Sequence, residues 1–511
     1  MKQPINIVWY KRDLRVDDHA ALHRAAASGV AVIPLYVVEP EYWQQKFSSR
    51  RHWHFIYDCL IDLRQQTAAL GQPLVVRVGE IQNIVSELHK DYSINGVYAH
   101  EESGNQWTYS RDKAFISWCR QHKLPFYEYH NNAVVRRLKS RDHWAQLRQA
   151  TMSQPLIPPP EQIVPVAGLA EGKIPLPNDP MFGDSVQGTV QQGGRFAATA
   201  ALRSFLTDRS AGYVKHISRP GTADRYCSRL SPHLTWGSLS VREVVKAINS
   251  FLQSPQVSLH HSQRRSLSAF SSRLSWRCHF IQKLEDQPQI EFQCMHSAYE
   301  TIRPLEGDLS AYTAWAEGNT GYPLVDACMR SLIHRGWITF RMRAMLVSFA
   351  SYHLWLDWRQ TGYHLARLFT DYEPGIHYSQ LQMQSGVTGI NAVRIYNPIK
   401  QSHDQDSDGE FIRRWVPELR QVPNSWIHEP WLMSKTLQTK AQCMIGTDYP
   451  EPIVDHAKLS GQPGKSSAKR ANNRIIKLRQ TRFLTNWEVE TDPRAASRWR
   501  NPPLRCPFSY S

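Results

Sequence analysis

The chain has no long uncharged apolar run. Hydrophobic residues make up 41% of its 511 residues, yet no stretch approaches the roughly 18 apolar residues that a membrane-spanning helix needs. The N-terminal sequence MKQPINIVWYKRD also lacks the apolar core of a secretory signal peptide and passes directly into a strand-like run. We therefore expect a soluble, cytoplasmic protein with no membrane partner.

Cysteine is scarce and scattered. The eight cysteines include no CxxC pair and no cluster with histidine at the spacing of metal ligands. They are Cys59, Cys119, Cys227, Cys278, Cys294, Cys328, Cys443 and Cys506. We predict no metal site, and reduced thiols that pack as small apolar groups.

Acidic residues are in deficit. The chain has 45 Asp and Glu against 61 Lys and Arg, a formal net charge of +16, which favours a polyanionic partner. Several of the 17 tryptophans have a basic neighbour, and this pairing suits stacking on bases while Arg holds phosphates. These tryptophans are Trp53, Trp276, Trp358, Trp415 and Trp499. A basic enzyme without such a partner is the alternative.

The length of the chain exceeds one ordinary core and predicts two domains. In the first part, short β-rich runs alternate with helical stretches such as residues 51–70. The β-rich runs are 5–10, 31–38, 74–78, 96–100 and 125–129. This alternation predicts βαβ units, so we expect residues 1–135 to form an α/β domain with a doubly wound parallel sheet.

The remainder of the chain divides into three segments. Residues 136–195, rich in Pro and Gly, are predicted to be a surface linker. Residues 196–456 follow helical periodicity and predict a larger all-α domain, in which residues 346–354 form one buried helical stripe. His353 on that stripe is interpreted as a core histidine. Residues 457–511 form a basic extension, either a solvated, partly disordered tail or a nucleic-acid arm.

Two motifs together carry a family resemblance. Residues 321–398 contain GYPLVDACMRSLIHRGWITFRMR, LDW, DYEPGIH and VRIYNP in that order, and residues 9–22 read WYKRDLRVDDHAAL. This combination resembles the photolyase and cryptochrome family, although His19 stands where the opening motif usually has Asn. The resemblance implies FAD inside the helical domain and an electron moved by blue light. The four cysteines of the iron–sulfur branch are not matched.

The first domain of many such relatives holds an antenna pigment, a folate or a deazaflavin. By resemblance, Glu101, Glu102 and Asn105 lie in the loop that would contact a pterin. An ordinary loop at the end of the sheet is the alternative, and the antenna stays unassigned.

Residues 225–240, RYCSRLSPHLTWGSLS, resemble the family's phosphate loop. The resemblance implies that hydroxyl and backbone N–H groups, at the start of a helix, bind the FAD pyrophosphate. The loop positions are Cys227, Ser228, Arg229, Leu230 and Ser231. Cys227 takes the place of a Thr and is a weaker donor. Tyr213 matches a tyrosine that packs on the cofactor. An ordinary helix start is the alternative reading of the loop.

Five more residues are implied to hold the flavin. Arg277 matches an Arg that reaches the FAD phosphates. Arg343 and Asp371 match an ion pair beside the isoalloxazine ring, where fixed charges favour the anion that forms on reduction. Glu373 follows in the same motif. His377 takes the position near flavin N5 that usually holds Asn, Asp or Cys, and we interpret it as exchanging protons with N5 near neutral pH.

The electron relay departs from the family pattern. Most relatives use three tryptophans, but two of these align with Leu381 and Leu305, so only Trp358 remains. The residues available for a different route are Trp355, Trp337, Tyr372 and Tyr378. We predict that photoreduction persists, with Trp358 and Trp355 as carriers.

The lesion-binding positions also depart from the pattern. Trp276 is implied to face a cavity for an extruded base pair, because a lesion must leave the duplex to reach the flavin. Enzymes for cyclobutane dimers place Glu where Arg273 stands and Trp where Met383 stands. The predicted DNA-contact set is Arg273, Trp276, Phe340, Arg341, Met383 and Gln401.

The sequence therefore favours blue-light-driven repair of ultraviolet-induced pyrimidine dimers by a deoxyribodipyrimidine photolyase-type lyase, with damaged DNA as partner. Because Arg273, Met383 and His377 depart from the repair pattern, a cryptochrome-like photoreceptor with a signalling partner is the alternative. A light-independent nucleic-acid binder with structural FAD is a third hypothesis.

Overall fold

The computed structural model of the chain describes residues 2–255, 259–389 and 395–454. It begins with a five-stranded parallel sheet of strand order β3-β2-β1-β4-β5. The strands are β1 (Pro4–Tyr10), β2 (Ala31–Val38), β3 (Val75–Val78), β4 (Ser93–His100) and β5 (Phe126–Tyr129). Parallel neighbours need crossover connections, and the reversal of order at β1 places helices on both faces of the sheet. The predicted doubly wound α/β domain is confirmed.

Alternation along β1 divides the core of this domain into two layers. The connecting helices are α1 (Ala20–Ala26), α2 (Pro40–Trp43), α3 (Arg50–Ala69), α4 (Ile81–Asp91) and α5 (Gln106–Gln121). Ile5, Ile7 and Trp9 pack against α4 and α5, while Val8 and Tyr10 pack against α1 and α3. Because helices cover both faces of the sheet, β1 and β2 are nearly continuous apolar runs, and such runs allow strands to be predicted from the sequence.

The predicted linker packs back onto this domain. It contains α6 (Trp144–Ser153) and a 3-10 turn (Pro180–Phe182). Val32 N donates to Val164 O at 3.0 Å, and Ile163 and Phe182 are fully buried in one of the two core layers. The segment therefore completes part of the α/β core as well as connecting the two regions.

The described residues from 194 onward are largely helical, as predicted. The α-helices are α7 (Gly194–Thr207), α8 (Tyr213–His216), α9 (Ala223–Tyr226), α10 (Ser231–Trp236), α11 (Val241–Gln253), α12 (His261–Asp286), α13 (Leu309–Glu317), α14 (Pro323–Arg335), α15 (Phe340–Ser348), α16 (Trp358–Leu368), α17 (Pro374–Ser385), α18 (Pro398–Gln405), α19 (Glu410–Trp415) and α20 (Lys435–Lys440). Short 3-10 turns lie at Arg209–Gly212, Pro288–Glu291, Ser297–Tyr299, Pro417–Leu419 and Pro430–Leu432.

Local signals explain where several of these helices begin. Ser240 and Glu243 form a capping box at the start of α11, in which each side chain bonds the other's backbone N–H. Thr339 caps α15, and Asp357 caps α16.

Helices α12 and α17 cross so closely that a Cβ on Gly375 would lie 2.6 Å from Ile281 Cα. A glycine is therefore required at that crossing.

The predicted single helical stripe over residues 346–354 is wrong in one respect. Helix α15 ends at Ser348, and Phe349–His353 forms a π-helical turn. Leu354 N donates to Phe349 O at 3.2 Å, five residues back. The stripe is nevertheless buried, and the His353 ring stacks on Phe349 with centroids 4.9 Å apart. Apolar spacing does not separate the two helix types, because both bury the same face.

The seven cysteines in the described part of the chain are free and buried, as predicted. No helix in that part is long and apolar enough to cross a membrane. Three predictions, those for the basic extension, Trp499 and Cys506, lie outside the described residues.

Candidate functional site

A short corner between α16 and α17 carries Asp371, Tyr372 and Glu373. Side chains from other parts of the fold donate hydrogen bonds to its backbone carbonyls. Trp236 Nε1 donates to Thr370 O at 2.9 Å, and Arg12 Nη2 donates to Tyr372 O at 2.9 Å. The Arg12 guanidinium lies over the Trp236 ring, 4.4 Å from its centroid. Sequence reasoning missed this positioning role of Arg12, which comes from the opening motif of the first domain.

The predicted pair of Arg343 and Asp371 is present as an ion pair. Arg343 Nη2 lies 2.9 Å from Asp371 Oδ2. The same guanidinium donates to Ile338 O at 3.0 Å and packs over Phe369, which fixes its orientation. Asp371 Oδ1 is buried, and none of the residues that the structure describes gives it a hydrogen bond. A buried acceptor left unsatisfied costs roughly 1–3 kcal/mol, so this oxygen is suited to a ligand N–H such as that of an isoalloxazine ring.

Glu373 forms a second buried pair. Its Oε2 lies 2.9 Å from Arg277 Nη2, and Arg12 Nη1 lies 3.7 Å from Oε1. Burial raises the pKa of Glu373, while Arg277 and Arg12 oppose the shift. Arg277 Nη2 also donates to Leu234 O at 2.8 Å. The guanidinium predicted to reach the FAD phosphates is thus engaged by Glu373, although Arg277 also lines a polar cavity beside Asn131.

The predicted phosphate loop lies between α9 and α10. Leu230 N donates to Ser228 Oγ at 3.4 Å, and Arg209 bonds the carbonyls of Cys227 and Ser228. Arg229 adopts a φ of 60°, a left-handed conformation that sharpens the turn. Burial raises the pKa of the Cys227 thiol to about 12, so it stays protonated.

The side chains of Ser231 and Arg229 also belong to this loop. Ser231 is half-buried at the first position of α10. The Arg229 guanidinium lies 4.2 Å from the Trp337 ring centroid, while its backbone carbonyl accepts from Gln191 Nε2 at 2.9 Å. Because α10 has only six residues, its dipole is small, and any anion would depend on hydroxyl and N–H contacts.

Tyr213 is buried at the other end of this region. Its ring makes edge contacts with Phe205 and Phe270, at centroid distances of 5.6 and 5.8 Å. Burial raises the pKa of the Tyr213 phenol, and the nearby Arg273 guanidinium limits the rise. The Arg that replaces the usual Glu of dimer-repair enzymes is therefore close to an aromatic residue of the predicted cofactor site.

His377 is buried, and its tautomer is fixed. Nε2 lies 2.9 Å from Gly362 O, and a carbonyl only accepts, so this nitrogen carries the proton. Burial lowers the pKa of His377 to about 4, with Arg343 adding to the shift. The prediction that His377 exchanges protons near neutral pH is therefore wrong. The neutral ring has a lone pair at Nδ1, so His377 can accept a hydrogen bond but has no proton to give there.

The predicted DNA contacts differ in exposure. Trp276 and Phe340 are 42% and 51% exposed, and Trp276 stacks on Phe280 at 5.6 Å. The alternative of a buried aromatic on α12 is excluded for Trp276. Arg341 and Met383 are half-buried. Gln401 is only 8% exposed, which leaves little surface for a DNA contact.

The two predicted electron carriers have different surroundings. Trp358 is buried at the start of α16 and donates to Cys294 Sγ at 3.4 Å. In the part of the chain that the structure describes, no aromatic ring stacks on Trp358. Trp355 is half-buried, with Arg303 4.7 Å from its ring centroid. Leu381 packs on Gly362, where the resemblance places the first tryptophan.

The antenna loop is largely committed to protein contacts. Arg111 Nη2 lies 2.7 Å from Glu102 Oε2, and Glu101 Oε2 lies 2.9 Å from His130 Nδ1. Asn105 is buried and bonds Tyr372. Each of these three side chains therefore already has a protein partner.

One cluster near this loop contains metal-ligating residue types. Asp13 Oδ2 lies 2.9 Å from His19 Nε2 and 2.8 Å from His100 Nδ1. His19 Nδ1 accepts from Leu22 N at 3.0 Å, so Nε2 carries the proton and donates to Asp13. A metal at Nε2 would need the doubly deprotonated ring, so we read the cluster as a hydrogen-bonded network.

Comparison with known proteins agrees with this geometry. The family described as DNA photolyase matches residues 6–145, and the FAD binding domain of DNA photolyase matches residues 270–465. The chain is 30% identical over 482 residues to a deoxyribodipyrimidine photo-lyase of Vibrio cholerae serotype O1, which covers 88% of this chain and 97% of that protein. It is 28% identical over 485 residues to a cryptochrome DASH of Danio rerio, covering 90% of this chain and 92% of that protein.

A solved structure shares the fold. A bacterial class III photolyase from Agrobacterium tumefaciens superimposes with a TM-score of 0.80 at 25% identity, covering 93% of this chain and 98% of that chain. The relatives thus include both photolyases and cryptochromes at similar identity, and the matched FAD-binding domain contains the corner that carries Asp371. The chain belongs to the photolyase/cryptochrome family.

Proposed function

We propose that this protein repairs ultraviolet-induced pyrimidine dimers in DNA under blue light. The observation that carries the proposal is the position of the two exposed aromatics. Trp276 precedes Arg277 on α12, and Phe340 lies one turn before Arg343 on α15. Large apolar side chains at this exposure gain from stacking on a base. In the sequence they neighbour residues that are predicted to hold the flavin, and an extruded lesion would have to lie against the flavin.

The chain's own residues supply binding, orientation and charge. Bound FAD, when fully reduced and excited by light, supplies the electron that splits the dimer. Asp371 Oδ1 would accept an N–H of the flavin ring, and Arg343 would favour negative charge beside it. Trp276 and Phe340 would stack on the extruded bases, while Arg341 holds a phosphate. Arg273, which lies near Tyr213, would border the lesion.

The test is repair of a thymine-dimer oligonucleotide by the full chain with chemically reduced FAD. Under blue light the ultraviolet absorbance of the intact bases should return, and in the dark it should not. Trp276→Ala should lower the initial rate about tenfold or more, since loss of base stacking is worth about 1–3 kcal/mol. Phe196→Ala, at an 81% exposed position on α7, is the matched control and should repair at the wild-type rate.

A cryptochrome-like photoreceptor is the second candidate. The observation that favours it is the Arg273 guanidinium near Tyr213, because Arg273 is a cation at the position where, by the family resemblance, dimer-repair enzymes have Glu. On this reading the product of illumination is a changed flavin state and a changed surface, read by a signalling partner. Normal flavin photoreduction without repair of any dimer substrate would reject the first proposal and support this one.

An antenna pigment is a separate question. A polar cavity bordered by Lys11, His100 and Asn132 lies between the first domain and the flavin corner. A folate or deazaflavin bound there would add an absorption band to that of FAD in the purified protein. Removal of the pigment should then lower repair only under limiting light.

A further inference from the structure

Tyr372 contacts four side chains of the first domain. Arg12 Nη2 donates to the Tyr372 carbonyl oxygen at 2.9 Å, and Asn105 Nδ2 donates to the Tyr372 hydroxyl at 2.8 Å. The Tyr372 ring stacks on His52 and on Phe47, with ring centroids 5.8 Å apart in both pairs. We call Arg12, Phe47, His52 and Asn105 the socket. The first domain therefore holds the carbonyl, the hydroxyl and the ring of one residue of the helical region.

The socket also contacts segments next to the corner. Asn105 Nδ2 donates to Glu291 Oε1 at 2.9 Å, in the 3-10 turn that follows α12. His52 Nε2 lies 3.1 Å from Ala366 O and 3.0 Å from Phe369 O at the end of α16, and carbonyls only accept, so this nitrogen donates to both. Because Tyr372 and these segments share the same partners, the corner has little freedom to move relative to the first domain.

Tyr372 lies between Asp371 and Glu373, two residues that are predicted to hold the flavin. Neighbouring Cα atoms are about 3.8 Å apart, so a shift of Tyr372 moves both of these residues. Asp371 Oδ1 is buried, and no residue in the described ranges donates to it. A hydrogen bond from a ligand N–H to this oxygen needs a distance of about 2.7–3.2 Å, which leaves little tolerance for a displaced corner.

We propose that Tyr372 is a positioning residue: the socket of the first domain holds Tyr372, and Tyr372 holds Asp371 in the place that the flavin requires. FAD affinity then depends on first-domain residues, and the coupling is reciprocal, so bound FAD stabilises the socket. A packing contact with no link to the flavin would stabilise the FAD-free protein and leave FAD affinity unchanged. This inference rests on the proposed flavin site at Asp371.

The first experiment measures amide hydrogen exchange of the wild-type full chain with and without FAD, by mass spectrometry. Peptides that cover residues 47–52 and 101–106 should exchange more slowly when FAD is bound, because ligand binding stabilises the docked arrangement. Peptides from α4, which carries no socket residue, are the internal control and should change less. Equal exchange of the socket peptides in the two states overturns the proposal.

The second experiment is a double-mutant cycle on the bond between Asn105 and Tyr372, with the Kd for FAD as the measured quantity. Asn105→Ala and Tyr372→Phe should each raise the Kd about threefold to tenfold, the usual effect of losing one hydrogen bond. The double variant should show clearly less than the product of the two effects, because both substitutions remove the same bond. Asn83→Ala is the matched control: Asn83 is exposed on α4 and bonds Glu80, so this variant should bind FAD like the wild type.

Visible circular dichroism of the bound flavin separates positioning from packing. At saturating FAD, Asn105→Ala and Tyr372→Phe should give flavin spectra that differ from the wild type, because Asp371 is displaced. A wild-type Kd and a wild-type flavin spectrum, together with a lower thermal stability of the FAD-free variants, would overturn the proposal and leave Tyr372 as a packing contact. A double effect equal to the product of the single effects would show that Asn105 does not act through Tyr372, which also overturns it.

The positioning role and the proposed function fail in different ways. If the wild type binds no FAD, the flavin site and the proposed function fail, and the positioning role fails with them. If the wild type binds FAD and repairs the thymine-dimer oligonucleotide, while both variants match it in Kd and in flavin spectrum, only the positioning role fails. If neither variant folds, hydrogen exchange of the wild type decides the question by itself.

Discussion

Replacing Asp371 by Asn tests whether the unpaired carboxylate oxygen is the flavin contact. Oδ2 is bound to Arg343 at 2.9 Å, and Oδ1 is buried without a hydrogen-bond partner among the described residues. A hydrogen bond to a charged acceptor is worth roughly 1.5–3 kcal/mol. Its loss should therefore raise the Kd for FAD about tenfold to a hundredfold, since 1.4 kcal/mol corresponds to about a factor of ten.

The same substitution should affect the stability of the FAD-free protein less. Two charges about 4 Å apart attract by about 4 kcal/mol at an effective dielectric near 20. The Arg343 side chain is, however, 23% exposed, so water screens the pair, and we expect a loss on the order of 1 kcal/mol. Replacing the carboxylate by an amide also removes charge from the buried Oδ1, to which no residue in the described ranges donates, and this offsets part of the loss.

The assay is titration of FAD-free protein with FAD, followed by quenching of flavin fluorescence, together with thermal unfolding without FAD. Glu418→Gln is the control, because it removes the carboxylate of the Arg330 ion pair, which is not part of the predicted flavin site. An unchanged Kd for Asp371→Asn would refute the assignment of Oδ1 to the flavin. Equal losses of affinity and of FAD-free stability would show that the ion pair is structural.

Two further substitutions test the packing and protonation of the same region. Burial lowers the pKa of His377 from an ordinary 6.5 to about 4. The neutral ring therefore contributes up to about 3 kcal/mol to the stability of the fold, and this contribution is complete above pH 6.5. It is lost as the pH falls from 6.5 towards 4. His377→Asn should therefore flatten the pH dependence of the urea midpoint in that window, and parallel curves for the two proteins would contradict the assignment. Gly375→Ala places a Cβ 2.6 Å from Ile281 Cα and should destabilise by about 1–3 kcal/mol or more, measured by urea unfolding. Gly221→Ala, whose nearest neighbour would be 3.7 Å away, should unfold like the wild type, and equal effects of the two substitutions would refute the steric argument.

Much of the fold could be predicted from the sequence because short local patterns indicate it. Strands β1 and β2 are covered on both faces, so their apolar runs are nearly continuous and their ends lie within one residue of the prediction. Arg343 and Asp371 lie 28 residues apart, and the structure brings them into contact as the family resemblance implied. In both cases the prediction depends on short stretches of sequence.

Other features had no local signal. The π turn at Phe349–His353 buries the same residues as an α-helix would, so hydrophobic periodicity could not separate the two. Arg12 reaches Tyr372 O across 360 residues, and Asn105 reaches Glu291 across 186. In the sequence each of these is an ordinary polar residue, and only the docking of the two regions gives it a partner. The pKa of His377 likewise depends on burial, which its own motif does not reveal.

The flavin corner depends on both regions of the chain. Arg12 and Asn105 come from the first domain, and they bond the backbone and the hydroxyl of Tyr372. A ligand that binds the corner therefore favours the docked arrangement, by linkage. Repair and photoreception could thus use the same corner, and the difference between them must lie elsewhere. The exposed Trp276 and Phe340 would serve a base-stacking enzyme and would be dispensable for a photoreceptor, so their substitution discriminates between the two functions more directly than any change at the flavin.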